Sequence, residues 1–253
     1  MPEDAQCQNE MRTTAELIRL LSDAQRTGRR SVDATALDGL DRPAAYRIML
    51  ATQSGLGETT GMLKTAVLAD GFGAAAPIYA SRVGRSASYA VPADRVLGLE
   101  VEVGIVLARD IPVDDHSNEA AIAAAVDHYF VGVEVVGTRY ADRSKAGPVV
   151  GLADNMSAYG YVIGANYERG TNVDGQMVTI ERAGQQIYAA PAKHGFGSVL
   201  ASVAAYARVQ QPGLLLTAGT VITTGSLCGM VLSSGAGHVV ARLGDIAIEF
   251  DIT

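Results

Sequence analysis

An α+β fold is predicted by two features of this 253-residue chain. The first sixty residues contain two amphipathic helical segments, whereas from about residue 60 short apolar runs are broken by Gly, Pro and Asp. Strands in succession with only a few inserted helices are typical of α+β proteins and not of a repeating βαβ array. The sequence therefore predicts a small helical unit over residues 1–58 and a sheet-rich domain over residues 59–253.

Two helices are expected in the N-terminal unit. The first covers residues 13–30, has a threonine cap at Thr13 or Thr14, and carries one apolar face. That face consists of Leu17, Leu20, Leu21 and Ala24. The second starts at Asp41 with Pro43 in its first turn.

Strands and two further helices are expected in the larger domain. The predicted strands cover residues 61–68, 99–108, 130–137, 158–164, 176–182, 185–190, 219–224 and 238–251, the last as a pair turning at residues 243–245. Residues 117–130, capped by Ser117, and residues 197–210 are predicted to be helical.

Composition limits the classes of function. A net charge of −7 argues against a nucleic-acid partner, which a basic stripe would favour. No segment reaches the ~18 uninterrupted apolar residues of a membrane span, and the N-terminus lacks a secretory pattern. Cys7 and Cys228 form neither a disulfide framework nor a zinc spacing. We expect a soluble, cytoplasmic protein with unpaired thiols and no membrane partner.

Two glutamates one residue apart, Glu100 and Glu102, lie in an apolar run. Side chains alternate along a strand, so both carboxylates point to one face while apolar residues fill the other. Glu134 has the same setting in the next predicted strand. If the two strands are neighbours, a divalent cation would offset the repulsion and desolvation of three carboxylates. Oxygen ligands favour Mg²⁺ or Mn²⁺.

Exposure of these glutamates on the outer face of a half-buried strand is the alternative. Gly104, Val106 and Ala108 continue the glutamate face as small or apolar residues, which suits a pocket better than open solvent. Lys64 also has two interpretations. It either lies buried near the cation with a lowered pKa and moves protons, or it is exposed on an edge strand.

Two polar segments and one arginine are open to a structural or a functional interpretation. Asp154, Asn155 and Ser157 either form a local turn or orient a metal ligand or a substrate carboxylate. Residues 224–226 either form a common Gly-Ser turn or offer N–H groups and hydroxyls to an anion. Arg139 is expected to pair with Asp142 at the surface, or with the carboxylates.

Four segments in order resemble the 2-keto-4-pentenoate hydratase and 4-oxalocrotonate decarboxylase branch of the fumarylacetoacetate hydrolase superfamily. They are LEVEVGIVLARDIP, VEVVGTRYAD, ADNMSAYGYVIG and TTGSLCGM. The resemblance runs from about residue 13 to the C-terminus. It implies a mixed β-roll or barrel-like domain preceded by short helices, with Glu100, Glu102 and Glu134 as ligands of Mg²⁺ or Mn²⁺.

The resemblance also implies roles for other residues. The family's catalytic lysine matches Lys64, and its Asp-Asn-Ala-Ser stretch matches residues 154–157. Asp70 replaces the family's aspartate after a one-residue shift, or that group is lost. Catalytic roles are thereby implied for Lys64, Asp70 and Ser157. Substrate-binding roles are implied for Asn155, Thr224, Gly225 and Ser226.

The activity implied is addition of water to a 2-hydroxy-2,4-dienoate, giving a 4-hydroxy-2-oxo acid in meta-cleavage catabolism of aromatics. A 2-oxo-3-enedioate decarboxylase and a non-catalytic partner subunit are the alternatives. Relatives that cleave acylpyruvates use a histidine–glutamate pair from an early helical lid. This chain has no histidine before His116, which argues against that activity. The resemblance further implies a homo-oligomer and an association between hydratase and decarboxylase.

Overall fold

A computed structural model describes residues 2–253 of the chain, with side chains from Thr14 onwards. Contacts divide the chain into two compact units. One contains the chain up to Thr59 together with Thr138–Ser157, and the other contains Thr60–Gly137 and Ala158–Thr253. The predicted boundary after residue 58 stays a prediction, and the segment 138–157 belongs to the same unit as the N-terminal helices. Cys228 is a free thiol, and Cys7 lies outside the described side chains.

The α-helices of the described chain are α1 (Pro2–Thr27), α2 (Arg42–Gly55), α3 (Glu119–Ala123), α4 (Pro148–Ala153) and α5 (Ala201–Ala207). None of these helices is long and apolar enough to cross a membrane.

The strands of the described chain are β1 (Thr60–Val67), β2 (Gly73–Tyr79), β3 (Val83–Arg85), β4 (Ala90–Val91), β5 (Gly98–Leu107), β6 (Val126–Val136), β7 (Ala158–Asn166), β8 (Met177–Arg182), β9 (Gln185–Pro191), β10 (Val221–Ser226), β11 (Val231–Leu232), β12 (Gly237–Leu243) and β13 (Ile246–Ile252).

The helical unit is built on α1, α2 and α4. Leu17, Leu21 and Ala24 of α1 are buried, as its apolar face predicts. The predicted threonine cap is wrong because α1 already begins at Pro2. Helix α2 begins as predicted, since the Asp41 carboxylate accepts a hydrogen bond from the Ala44 N–H at 2.7 Å.

Two mixed sheets form the larger unit. Within the described residues, the larger sheet has the order β2-β1-β10-β5-β6-β7-β3, with β11 paired to β5, and the smaller has the order β4-β13-β12-β8-β9. Parallel pairs join β1 to β10, β3 to β7 and β4 to β13, and the other pairs are antiparallel. The predicted α+β class is therefore confirmed.

The structure differs from the predicted elements at strand β2 and at the helix that follows Ser117. Strand β2 was not predicted, because its alanines and Pro77 favour strands weakly; as an edge strand it tolerates the proline. The helix expected over residues 117–130 is capped by Asn118, not Ser117, and ends at Ala123. The β-branched and aromatic residues that follow enter strand β6, so His128 lies on a strand.

One face of the larger sheet carries the functional side chains. The register pairs Glu100 with Glu134 and Glu102 with Gly132, so these side chains share a face. The apolar part of the sheet packs as a cluster of Met62, Ile78, Phe130, Ala158 and Tyr161. The same sheet therefore carries both the glutamates and a cluster of apolar side chains.

Candidate metal centre

The structure brings the three predicted glutamates together. One carboxylate oxygen from each of Glu100, Glu102 and Glu134 lies within 4.8 Å of the others. Glu102 and Glu134 are fully buried, and Glu100 is half-buried at the edge of the group. The arrangement follows from the register of β5 and β6, which places Glu100 opposite Glu134.

The electrostatics of Glu102 are unfavourable without a cation. Burial raises the pKa of its carboxyl well above the usual value, and the charges of Glu134 and Glu100 add to the effect, whereas Lys64 and the Gly225 N–H lower it. Within the described chain, neither of its carboxylate oxygens has a hydrogen bond of standard geometry. Such a carboxylate is costly to bury. The oxygen-only donor set and this unmet demand fit a hard divalent cation.

Lys64 lies at the centre of the same face. Its Nζ is 2.6 Å from Glu134 Oε1, and its side chain is 13% exposed. Strand β1 lies between β2 and β10, so the exposed edge-strand alternative is wrong. Burial alone would lower the pKa of the Lys64 ammonium, but Glu134, Glu100 and Glu102 outweigh burial and raise it. A bound cation would oppose the charges of these carboxylates, so the lowered pKa expected for a lysine beside a metal stays a prediction.

Small residues on the glutamate face serve aromatic packing. A Cβ on Gly104 would lie 2.2 Å from the Phe130 ring, and one on Gly132 would lie 2.3 Å from the Tyr161 ring. Phe130 and Tyr161 themselves pack edge to face at 6.2 Å. The expectation that Gly104 opens a pocket is therefore wrong at that position.

The end of β10 contributes residues beside Glu102. Ser226 is paired with Glu102 in the register, and Gly225 directs its N–H toward the same carboxylate. Between Thr223 and Ser226 the register shifts, and Gly225 has a φ of 117°. This irregularity places Thr223 and Ser226 on the glutamate face.

The Thr224 hydroxyl is engaged with the backbone of β5, where it donates to the Val103 carbonyl at 2.6 Å. The structure therefore does not bring the predicted substrate-binding hydroxyl of Thr224 to the carboxylates. The neighbouring Thr223, which sequence reasoning missed, lies on the glutamate face.

The buried ring of His194 contacts Thr224. Sequence reasoning gave His194 no role. Its Nε2 lies 3.5 Å from Thr224 Oγ1, and its Nδ1 accepts a hydrogen bond from the Phe196 N–H at 3.2 Å. Burial lowers the pKa of the imidazole to about 4, although Glu119 opposes this effect. A neutral ring with its proton on Nε2 follows from these contacts. No short-range pattern in the sequence marks this position.

Asp70 lies beyond the end of strand β1, away from Lys64. It is exposed in the turn between β1 and β2, and its carboxylate accepts from the Phe72 N–H at 3.1 Å. About 10 Å of strand separates Lys64 from Val67, where β1 ends. The structure therefore does not support Asp70 as the replacement for the family aspartate.

Asp154 belongs to the helical unit and is held by local groups. It is fully buried, accepts from the Thr138 hydroxyl at 2.6 Å, and forms an ion pair with Arg139. Burial raises the pKa of the Asp154 carboxyl, although Arg139 and Thr138 lower it. The expected surface pairing of Arg139 with Asp142 is therefore wrong, because Arg139 is buried on Asp154.

The residues after Asp154 have an unusual backbone. Asn155, Met156 and Ser157 have φ values of 51°, 50° and 62°. Non-glycine residues in this region cost about 1–3 kcal/mol each and cluster at functional sites. The Ser157 hydroxyl accepts from Arg143 Nε at 2.8 Å. The functional roles of Asn155 and Ser157 stay predictions.

Residues 78–253 match the fumarylacetoacetate (FAA) hydrolase C-terminal family. This match covers more than half of the chain. The protein belongs to the fumarylacetoacetate hydrolase family. The FAA hydrolase match spans strand β5, strand β6 and the end of β10, and so includes all three glutamates. Comparison with curated proteins gives no match.

Solved structures share the fold. A 4-oxalocrotonate decarboxylase from Pseudomonas putida G7, complexed with magnesium and adipate, superposes with a TM-score of 0.80 at 18% identity, over 96% of this chain and 98% of that chain. The same enzyme complexed with calcium and acetate gives the same values. A 2-hydroxyhepta-2,4-diene-1,7-dioate isomerase from Mycobacterium marinum gives 0.53 at 15% identity, over 76% of this chain and 73% of that chain. The FAA hydrolase fold expected from the sequence is confirmed.

Proposed function

We propose that this protein is a divalent-cation-dependent enzyme that adds water to a 2-hydroxy-2,4-dienoate and forms a 4-hydroxy-2-oxo acid. The observation that carries the proposal is the buried carboxylate group beside the charged Lys64. Glu100, Glu102 and Glu134 would hold Mg²⁺ or Mn²⁺, which when bound supplies Lewis-acid stabilisation to oxygens of a 2-oxo acid.

Lys64 is proposed as the proton donor. Conversion of the dienol to its conjugated ketone needs one proton on the terminal carbon of the diene, while the enol O–H loses its own. An ammonium group held by Glu134 at 2.6 Å is in the correct protonation state for this transfer. Water then adds across the remaining C3–C4 double bond, with its oxygen on C4 and a proton on C3.

Substrate orientation is proposed for residues near the carboxylates. Gly225 and Ser226 lie beside Glu102 and can offer an N–H and a hydroxyl to the substrate carboxylate. Asn155 and Ser157 are proposed to bind substrate on the resemblance alone. The homo-oligomer and the association with a decarboxylase are proposed on the same ground. The cytoplasmic location is proposed from the composition of the sequence.

Decarboxylation of a 2-oxo-3-enedioate is the second candidate. It is favoured by the similarity in fold, over nearly the whole chain, to a 4-oxalocrotonate decarboxylase complexed with magnesium. That reaction uses the same 2-oxo acid group and differs in the second carboxylate of the substrate. A site that accepts a dicarboxylate would therefore favour it.

The test compares both substrates directly. Purified protein is mixed with freshly generated 2-hydroxypenta-2,4-dienoate, and in parallel with 4-oxalocrotonate, in Mg²⁺, in Mn²⁺ and in excess EDTA. Cation-dependent loss of dienol absorbance with formation of 4-hydroxy-2-oxopentanoate supports the hydratase. Release of CO₂ from the dicarboxylate without hydration of the dienoate supports the decarboxylase. Turnover that persists in EDTA contradicts both.

A further inference from the structure

Two buried hydroxyls accompany Glu102 on the glutamate face. Tyr161 and Thr223 are, like Glu102, fully buried. Among the described residues, the Tyr161 hydroxyl, the Thr223 hydroxyl and both Glu102 oxygens have no hydrogen bond of standard geometry. Buried polar groups are ordinarily paired, so three adjacent exceptions need a common cause.

The register places the three groups side by side. Thr223 is paired with Gly104, two residues from Glu102 on the same face of β5. Tyr161 reaches across from β7, and its hydroxyl lies 2.6 Å from the position of a Cβ on Gly132. Gly132 is directly opposite Glu102, and opposite Cβ positions lie about 4.5–5.5 Å apart. The Tyr161 hydroxyl therefore lies within reach of the Glu102 carboxylate.

The hydrogen-bonding roles follow from this geometry. A tyrosine hydroxyl carries its proton at neutral pH, since the ordinary pKa of tyrosine is about 10, and an ionised carboxylate can only accept. Tyr161 is therefore the donor toward Glu102. The Thr223 hydroxyl is left to donate to the Tyr161 oxygen.

We propose that Tyr161 is a positioning residue for Glu102, whose carboxylate it orients through its hydroxyl while Thr223 holds that hydroxyl. This inference rests on the proposed cation site. A carboxylate has two oxygens, so one can accept from Tyr161 while the other faces the cation. Groups that orient a metal ligand in this way typically change metal affinity by about 10–100-fold.

The test measures cation affinity without substrate. Isothermal titration of the apoprotein with Mn²⁺ compares wild type with Tyr161→Phe and with Tyr79→Phe. Tyr79 is the matched control, because its hydroxyl is also buried without a hydrogen bond of standard geometry among the described residues, but its ring contacts Arg82 and it lies on edge strand β2. We expect affinity to fall at least about tenfold in Tyr161→Phe and to stay within about twofold of wild type in Tyr79→Phe.

Each outcome decides a different claim. Equal Mn²⁺ affinity in Tyr161→Phe and wild type overturns the positioning role and leaves the proposed function intact. No Mn²⁺ binding by wild type overturns both. If Tyr161→Phe does not fold, Thr223→Val is titrated instead, and unchanged affinity there overturns the inference.

A spectroscopic readout separates positioning from simple packing. The chain contains ten tyrosines and no tryptophan, so its near-UV absorbance reports tyrosine environments. Mn²⁺ should produce a tyrosine difference spectrum in wild type and in Tyr79→Phe. That spectrum should be lost in Tyr161→Phe, and its persistence there contradicts the proposal.

Discussion

Lys64 on β1 and Glu134 on β6 form a buried ion pair although strands β10 and β5 separate them in the sheet. Three strand spacings amount to about 14 Å in a flat sheet. The 2.6 Å contact is made by two long side chains that extend toward each other over the face that carries the glutamates. Both Glu102 and Glu134 on this face are fully buried.

Lys64→Ala tests the catalytic role of the lysine. The variant should lose turnover by at least about 100-fold, because it lacks the proton donor. Its affinity for Mn²⁺ should be equal to or higher than that of wild type, since a competing positive charge is removed. Steady-state kinetics and isothermal titration measure the two quantities. Retained turnover contradicts the role assigned to Lys64.

Gly104→Ala tests the close packing of Phe130. The added Cβ would lie 2.2 Å from the ring, so we expect a loss of about 3 kcal/mol in the free energy of unfolding. Gly151→Ala is the control, because a Cβ there meets nothing within 4 Å. The control should be neutral or about 0.5–1 kcal/mol more stable. Urea denaturation measures both, and equal stabilities would contradict the packing described.

Asp154→Ala tests the buried pair with Arg139. Removal of the carboxylate leaves Arg139 buried without its counter-charge, so we expect a loss of about 3–5 kcal/mol in unfolding free energy. Asp142→Ala is the control, because it removes the same chemical group from an exposed position. The Asp142 carboxylate accepts a hydrogen bond from the Ser144 N–H at 3.0 Å. Its loss should cost about 1 kcal/mol. A similar cost for both changes contradicts the structural role of Asp154.

His194 predicts a dependence of stability on pH. Its pKa is lowered to about 4 in the folded protein, against an ordinary value of 6.5. The unfolded chain therefore binds more protons between these values, and the contribution of His194 is complete above pH 6.5 and lost as pH falls through about 4. The loss amounts to at most about 3 kcal/mol.

His194→Asn isolates that contribution. The variant should be less stable than wild type at pH 7, and the difference should shrink as the pH falls toward 4. Urea denaturation at a series of pH values gives the difference at each point. A difference in unfolding free energy that stays constant across this range shows that His194 does not titrate as described.

Much of the glutamate arrangement was predictable from sequence. The period of two along 99–108 places Glu100 and Glu102 on one face, and a neighbouring strand with the same period adds Glu134. The partner of Lys64 was not predictable, because it depends on a sheet order in which β10 pairs with β1 and β5. Non-local pairing of this kind leaves no local signal.

Local irregularity explains why sequence reasoning singled out Thr224 although Thr223 lies on the glutamate face. Simple alternation does not show which threonine faces the carboxylates, because the register shift around Gly225 changes the count by one. The importance of Tyr161 escaped sequence reasoning for a related reason. The tyrosine ring fills the space above Gly132, which belongs to a different strand, and no local pattern in the sequence shows this contact.

The central claim is that the three glutamates bind a divalent cation, and isothermal titration of apoprotein with Mn²⁺ tests it most directly. Wild type should bind one ion per chain. Glu102→Gln should bind at least about tenfold more weakly, because one anionic ligand becomes neutral while the shape is kept, and its apoprotein should be more stable because a buried charge is removed. Equal Mn²⁺ affinity in wild type and Glu102→Gln would contradict the account.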